Sequence, residues 1–219
     1  MKKSFCIITV CLCAFFATSS VAQGYRSRGD YNRLGIQGKY VLYDISTDDI
    51  NVSAEGGFLG GLATRGKIYN NWGAIFGVDF LSVNLDVEST TSQSVGYNLI
   101  GVQVNVWPSY NIIGQHLSIE AGPSLQVSSR LRLDDSNQEA LNILGPVTVS
   151  AEELQEVSRI LPLVGVGISG GFERFRFTVH YQYGLTNIFN RLNDENSGAS
   201  PINFVGNVSA IAGGIIVYL

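Results

Sequence analysis

The sequence predicts an all-β protein, an eight-stranded antiparallel up-and-down transmembrane β-barrel with a short helix in the third outward loop. Three observations lead to this fold class. Long segments alternate between apolar and polar residues, which is the pattern of a strand with one apolar face. Charged residues make up only 15% of the chain, below the about 25% of an average soluble domain. The chain also begins with a secretory leader.

This leader is predicted to be a signal peptide over residues 1–22. Two lysines give it a basic start, an apolar core follows, and Ser-Val-Ala at its end supplies the small residues of a cleavage site. The apolar stretch is shorter than the about 20 residues that a membrane anchor needs. We therefore expect the barrel domain over residues 23–219. All three cysteines lie in the leader, so the mature chain is expected to have no disulfide or thiol chemistry.

Three segments alternate most strictly and are predicted to be membrane strands: residues 95–107, 117–127 and 174–185. Each is at least as long as the about 9–11 residues that a tilted strand needs to cross a bilayer. Five weaker segments bring the number to eight: residues 34–43, 52–64, 72–85, 161–169 and 204–219. An even number of strands closes a barrel with both termini on one side, which we expect to be the periplasm.

Two of the predicted strands have unusual patterns. Along the third, apolar residues occupy one face up to Phe80 and the other face from Leu81 onwards. This reversal predicts a bulge or a departure from the membrane near Phe80. The final strand is apolar on both faces, so its register is left open.

The connections alternate in length, which predicts the orientation of the barrel. The longest are residues 128–160 and 186–203, and long loops are typical of the outward end of such barrels. Within the first of them, Ser150 and Glu153 have the spacing of a capping box. This predicts a short helix over residues 154–159, with a mobile acidic loop as the alternative.

The apolar face is predicted to contact lipid and the polar face to line the lumen. Aromatic residues near strand ends are typical of the girdles at membrane interfaces, and we assign Trp72, Trp107, Tyr181 and Tyr183 to them. A soluble lipocalin-like carrier with the two faces exchanged is the alternative. On the inward faces we expect a structural network of polar side chains: Glu120, Arg174, Arg176, His180 and Gln182.

Three segments resemble the PorT-like family of outer-membrane β-barrel proteins, which are similar in architecture to OmpA and OmpX. They are residues 34–38 in the first strand, the Glu-Ala-Gly-Pro segment 120–123 in the central strand, and residues 181–188 in the seventh. The resemblance covers nearly the whole mature chain and implies the barrel architecture. One branch of the family is associated with protein secretion across the outer membrane, so a secretion-associated role is one alternative function.

The expected function is that of a non-enzymatic outer-membrane barrel with a side-chain-filled lumen. It would act in envelope structure, or bind a ligand or an extracellular or envelope protein partner through its outward loops. The other expected partners are outer-membrane lipid and the barrel-assembly machinery. The last strand ends in a glycine-hydrophobic-aromatic pattern that resembles the one outer-membrane barrels present to this machinery. The net charge of −4 gives no indication of nucleic-acid binding.

Two alternatives with chemistry or transport remain open at this point. His116 and Ser118 have the spacing found in lipid A deacylase barrels, although the sequence shows neither an oriented base nor oxyanion donors beside them. A narrow pore is the second alternative. No cofactor and no metal are expected, because two histidines and no mature cysteine give no metal-ligand spacing.

Overall fold

The computed structural model describes residues 32–47, 49–91, 93–144, 149–195 and 203–219. The predicted signal peptide and the start of the mature chain lie outside the described residues. All eight predicted strands are present, and most are longer than predicted. Their bounds are β1 Asn32–Ser46, β2 Val52–Tyr69, β3 Trp72–Glu88, β4 Ser94–Ile113, β5 Leu117–Ser128, β6 Ile160–Gly171, β7 Phe175–Gly184 and β8 Asn207–Tyr218.

The eight strands form a closed antiparallel ring. Each strand pairs with its neighbours in the chain, and β1 pairs with β8 from Gly35↔Tyr218 to Ser46↔Asn207. Closure removes the exposed edges that long apolar strands would otherwise present to other chains. The predicted eight-stranded up-and-down barrel is therefore confirmed.

Tight turns and long connections alternate around the ring. The turns cover residues 70–71, 114–116 and 172–174, and two of them use left-handed backbone at Asn70 (φ 49°) and Gly114 (φ 51°). The long connections cover residues 47–51, 89–93, 129–159 and 185–206. We call the end with the turns the lower end of the barrel and the end with the long connections the upper end.

The predicted helix in the third long connection is a single 3-10 turn, Glu153–Gln155. The capping box forms as predicted: the Glu153 amide donates to Ser150 Oγ (3.2 Å), and the Ser150 amide donates to Glu153 Oε2 (3.0 Å). The chain leaves the helical conformation at Glu156 because Val157 turns into the core. A six-residue α-helix, Asn190–Glu195, lies in the fourth long connection and was not predicted.

The outer and inner faces of the strands exchange character about halfway up. On β3, Phe80 is 71% exposed on the outer surface, whereas Leu81 is 2% exposed inside the barrel. Below this level the outward side chains are apolar and the inward ones include Asp79. Above it, the outward residues Ser82 and Asn84 are polar and the inward ones are Val83, Leu85 and Val87.

No bulge accompanies this exchange on the β4 side of the described strand. The pairing of β3 with β4 runs without a shift from Trp72↔Tyr110 to Glu88↔Ser94. The irregularities lie instead on the β2 side, between Ala54 and Gly57 and between Lys67 and Tyr69. The first of these irregularities lies opposite Leu85 and Val83 of β3, so a bulge is present near Phe80 as predicted, but on β2. Because β3 keeps its register with β4, the faces of β3 exchange where the apolar outer belt ends.

The upper half of the barrel contains a hydrophobic core that strands and long connections build together. The inward residues of the upper strands meet buried side chains from residues 129–159 and 185–206. This explains the final strand, which is apolar on both faces because its upper inward residues, Val208, Ala210 and Ala212, belong to this core. Among the described residues, no helix has the length and apolarity to cross a bilayer.

Candidate functional site

The lower half of the lumen holds two clusters of buried polar side chains. The first surrounds Asp79, whose side chain is fully buried. Its carboxylate accepts hydrogen bonds from Gln37 Nε2 (2.7 Å) and Asn105 Nδ2 (3.1 Å), and Lys39 Nζ lies 3.4 Å from Oδ2. We call these residues the Asp79 cluster. An isolated carboxylate would be very costly here, and the neighbouring ammonium and amide groups offset that cost.

Gln182 joins the Asp79 cluster through a chain of amides. Gln103 Nε2 donates to Asn105 Oδ1 (2.9 Å) and to Gln182 Oε1 (2.6 Å). These contacts link β3, β4 and β7 across the lumen. The amide chain therefore ties strands that are not neighbours in the sheet.

The second cluster surrounds Glu120 on β5, which is also fully buried. Its Oε2 lies 2.7 Å from His180 Nε2, and its Oε1 accepts hydrogen bonds from Ser118 (3.0 Å) and Ser169 and lies 3.3 Å from Arg65 Nη1. We call this the Glu120 cluster. Both carboxylate oxygens thus have donors, as a buried charge requires.

Two arginines complete the Glu120 cluster near the lower end. Arg65 also donates to Asn111 Oδ1 (3.0 Å) and to Ser118 Oγ (2.8 Å). Arg176 donates to Ser118 Oγ (3.1 Å), to the Ser169 carbonyl (2.8 Å) and to the carbonyl of Gln115 in the turn. The arginines therefore connect the lower ends of the strands, and the turn at Gln115, to the cluster.

Of the five residues predicted for the lumen, the structure brings Glu120, Arg176, His180 and Gln182 inside, and places Arg174 outside. Arg174 was assigned from its even spacing with Arg176, but β7 begins only at Phe175. Arg174 lies exposed in the preceding turn, where its carbonyl accepts a hydrogen bond from the Tyr218 amide (2.8 Å). The strand alternation does not extend into a turn, so the parity argument fails there.

The sequence interpretation missed Lys39, Asp79, Arg65 and Asn111. A signal for them was present, because each charged or amide side chain occupies a position of inward parity in a strand whose other face is apolar. Lys39 follows Gln37 by two residues, and Asn111 follows Asn105 by six. Their partners could not be read from one sequence, since Lys39 and Asp79 come from different strands.

Trp107 was predicted to lie in an interfacial girdle, and this is wrong. Its side chain is buried in the lumen, donates from Nε1 to Ser124 Oγ (3.0 Å), and packs edge-on against His180 with ring centroids 4.0 Å apart. Trp107 shares the parity of Gln103 and Asn105, which should have placed it inside. The exposed Trp72 does face outward at the lower end, beside Tyr110 (5.2 Å between centroids).

His116 and Ser118 do not form a catalytic pair. His116 is exposed in the turn, where its Nδ1 lies 3.0 Å from the Gly171 carbonyl oxygen. Ser118 is fully buried and held by Arg65, Glu120 and Ser169. In the part of the chain that the structure describes, no three acidic, histidine or cysteine side chains converge to hold a metal ion.

Comparisons with known proteins give similarities of fold. No protein-family model and no curated protein matches the chain. Among solved structures, Ail, the attachment invasion locus protein of Yersinia pestis, in complex with the heparin analogue sucrose octasulfate, is 14% identical over 86% of this chain and 99% of its own (TM-score 0.49). Neisserial surface protein A is 14% identical over 85% and 97% (TM-score 0.44). The outer membrane protein OprG from Pseudomonas aeruginosa is 12% identical over 87% and 93% (TM-score 0.42). At these identities the likeness extends no further than the fold.

Proposed function

We propose that this chain is a non-enzymatic outer-membrane β-barrel whose lower half spans the bilayer. Its upper half carries a packed cap that serves envelope structure or binds a partner outside the cell. The termini lie in the periplasm in this proposal, since the tight turns are at the same end. The observation that carries the proposal is the belt of apolar side chains around the outside of the lower half.

The belt has the height of a membrane. On β4 its outward residues run from Ile100 to Ile112, and the outward residues above it, Ser94 and Asn98, are polar. Twelve residue steps of about 3.3 Å give about 40 Å along the strand, and a tilt of about 40° reduces this to about 30 Å along the barrel axis. The hydrocarbon core of a bilayer is also about 30 Å thick.

The belt also argues against a soluble carrier. In such a carrier the apolar side chains of the lower half would line the lumen. Here, Phe177, Val179 and Tyr181 are exposed on the outside, while Arg176, His180 and Gln182 are buried inside. In water, so large an apolar outer surface would be strongly unfavourable.

The filled lumen argues against an open pore. The side chains of the upper half form a continuous apolar core with the long connections, in which Tyr97, Leu99 and Phe204 are fully buried. An eight-stranded barrel is only wide enough to be filled by its own side chains or to hold one small ligand. We therefore expect no conductance in planar bilayers. The PorT-like role in secretion and the recognition of the last strand by the assembly machinery stay predictions.

The test is insertion and orientation in cells. The protein should fractionate with the outer membrane and change its mobility on gels when boiled, because a closed ladder resists detergent. Cysteine can be placed at Asp135 in the upper connections or at Glu173 in a lower turn, since residues 23–219 contain no cysteine. A membrane-impermeant maleimide should label only the upper cysteine on intact cells.

Two results would contradict this proposal. A soluble periplasmic protein without a mobility shift would remove the membrane location. If only the Glu173→Cys variant were labelled on intact cells, the barrel would have the opposite orientation, with its lower end outside. A change in lipid A mass that depends on the protein would favour the enzymatic alternative instead.

A further inference from the structure

The pairing ladder in the barrel wall has a gap between β4 and β5, where the strands lie side by side without paired residues. The two strands pair at Asn105↔Ser124 and again at Ser109↔Glu120, in the same register. Between these points, residues 106–108 and 121–123 are all described, and no pair forms among them. The gap therefore interrupts a ladder that is regular on both sides of it.

Two prolines explain why the ladder is interrupted. Pro108 and Pro123 lie on facing strands at the two edges of the gap, and neither has an N–H group to donate. Gly122 brings the backbones close, since a Cβ at this position would collide with the carbonyl oxygen of Val106. At the gap the two backbones are thus in contact, and two of the N–H groups that a regular ladder would use are missing.

The gap lies at the most costly depth for missing hydrogen bonds. The apolar belt on β4 runs from Ile100 to Ile112, so residues 106–108 are at its centre. Water cannot replace lost backbone partners inside hydrocarbon, so an unsatisfied group is more costly there than anywhere else in the wall. Two prolines in this place are unfavourable for a wall whose only role is to stay closed.

Trp107 covers the gap from the inside. It comes between Val106 and Pro108, and its hydrogen bond to Ser124 joins β4 to β5 where the ladder does not. Behind it lies His180, whose Nδ1 has no hydrogen-bond partner among the described residues although the ring is buried.

We propose that this gap is a lateral entrance from the bilayer to the lumen, closed by Trp107, for a membrane amphiphile. The outer side of the gap is apolar, with Val106, Pro108 and Pro123 exposed, and suits a hydrocarbon chain. The inner side presents His180, whose unpartnered Nδ1 suits a hydrogen-bonding polar group on that chain. This inference rests on the proposed membrane location and goes beyond it.

The experiment uses single cysteines in the folded protein in phospholipid vesicles. Ser124→Cys places a thiol beside Trp107, and Ala63→Cys places one at an equally buried lumen position on β2, away from the gap. The probes are a long-chain N-alkyl maleimide dissolved in the bilayer and a charged maleimide in the water. With the alkyl maleimide, the Ser124→Cys thiol should react at least about tenfold faster than the Ala63→Cys thiol. With the charged maleimide, the two thiols should react at similar rates.

Two further variants link the rate to the gap. Pro108→Ala with Pro123→Ala restores two ladder donors and should slow the Ser124→Cys reaction to the rate of the control. Trp107→Leu, combined with Ser124→Cys, replaces the indole that covers the gap by a smaller side chain and should accelerate the reaction severalfold. If the double proline variant does not insert, the Trp107 variant decides the question alone.

The proposed entrance would be contradicted if the two cysteines reacted with the alkyl maleimide at equal rates. It would also be contradicted if Trp107→Leu left the Ser124→Cys rate unchanged. Flotation of the vesicles is measured first for each variant. A parent protein that does not float with the vesicles contradicts the proposed membrane location, whereas a floating protein with an unreactive Ser124→Cys thiol contradicts only the entrance.

Discussion

The lower and upper halves of the barrel are built from the same strands but bury opposite faces. In the lower half, polar clusters fill the lumen and apolar side chains face outward. In the upper half, Val83, Leu85 and Tyr97 fill the interior and polar side chains face outward. In the proposed location, lipid surrounds the lower half and water surrounds the upper half, and the difference teaches that the surrounding solvent decides which face of a strand must be apolar.

The largest expected effect is the loss of the carboxylate at the centre of the lower half. Glu120→Ala leaves Arg65 buried without its acid and His180 without its partner, and should cost about 3–5 kcal/mol of unfolding free energy. Refolding titrations into vesicles measure this. Glu173→Ala is the control, because its exposed ion pair with Arg33 (3.5 Å) should be worth about 1 kcal/mol or less. Equal costs for both would mean that the lower lumen is well hydrated.

The upper half should respond to lost volume instead of lost charge. Leu99→Ala removes a fully buried side chain from the apolar core and should cost about 2–5 kcal/mol in the same titration. Ile100→Ala, on the next residue, changes an outward side chain at the top of the belt and should cost clearly less. A smaller effect at Leu99 than at Ile100 would contradict the assignment of this core.

The outer surfaces of the two halves should differ in their tolerance of charge. Val179→Arg places a cation on the belt and should cost about 2–4 kcal/mol near the midplane. Asn84→Arg, on the outer surface of the upper half, should stay within about 0.5 kcal/mol of the parent protein. If Val179→Arg left stability unchanged and Asn84→Arg lowered it, the upper half and not the lower half would be the one in the membrane.

The smallest effect concerns the two histidines. His180→Ala removes one partner of Glu120, while Arg65, Ser118 and Ser169 still bind the carboxylate, so a cost of about 1–3 kcal/mol is expected. His116→Ala changes an exposed turn residue and should have almost no effect on stability. A cost at His180 above that of Val179→Arg would mean that the polar lumen matters more than the belt.

Much of the lower half could be predicted from the sequence. A period of two fixes which residues share a face, and one charged residue such as Arg176 then decides which face is the lumen. Two positions are wrong because the alternation of inward and outward residues either ends before them or is outweighed by residue type. Arg174 lies beyond the end of its strand, and Trp107 was judged by its residue type although its parity placed it inside.

The upper half was harder to predict because its core is not local. Leu131, Ile143 and Phe204 enter it from connections without any regular period, and each meets strands distant in the sequence. The reversal at Phe80 was visible as a pattern, but its cause lies in those connections. The partners of Asp79 were likewise hidden, since Lys39 comes from a strand 40 residues earlier. Such contacts depend on strand register, which a single sequence does not define.

The unbroken pairing of β3 with β4 has a mechanical consequence. Every residue from Trp72 to Glu88 has a partner on β4, so the ladder passes through the level where the faces exchange without a joint. Two stacked domains joined by a linker would move and unfold separately, whereas these halves share one set of hydrogen bonds. We therefore expect the two halves to unfold together, and in the proposed location a load on the upper connections would be transmitted through the same strands into the bilayer.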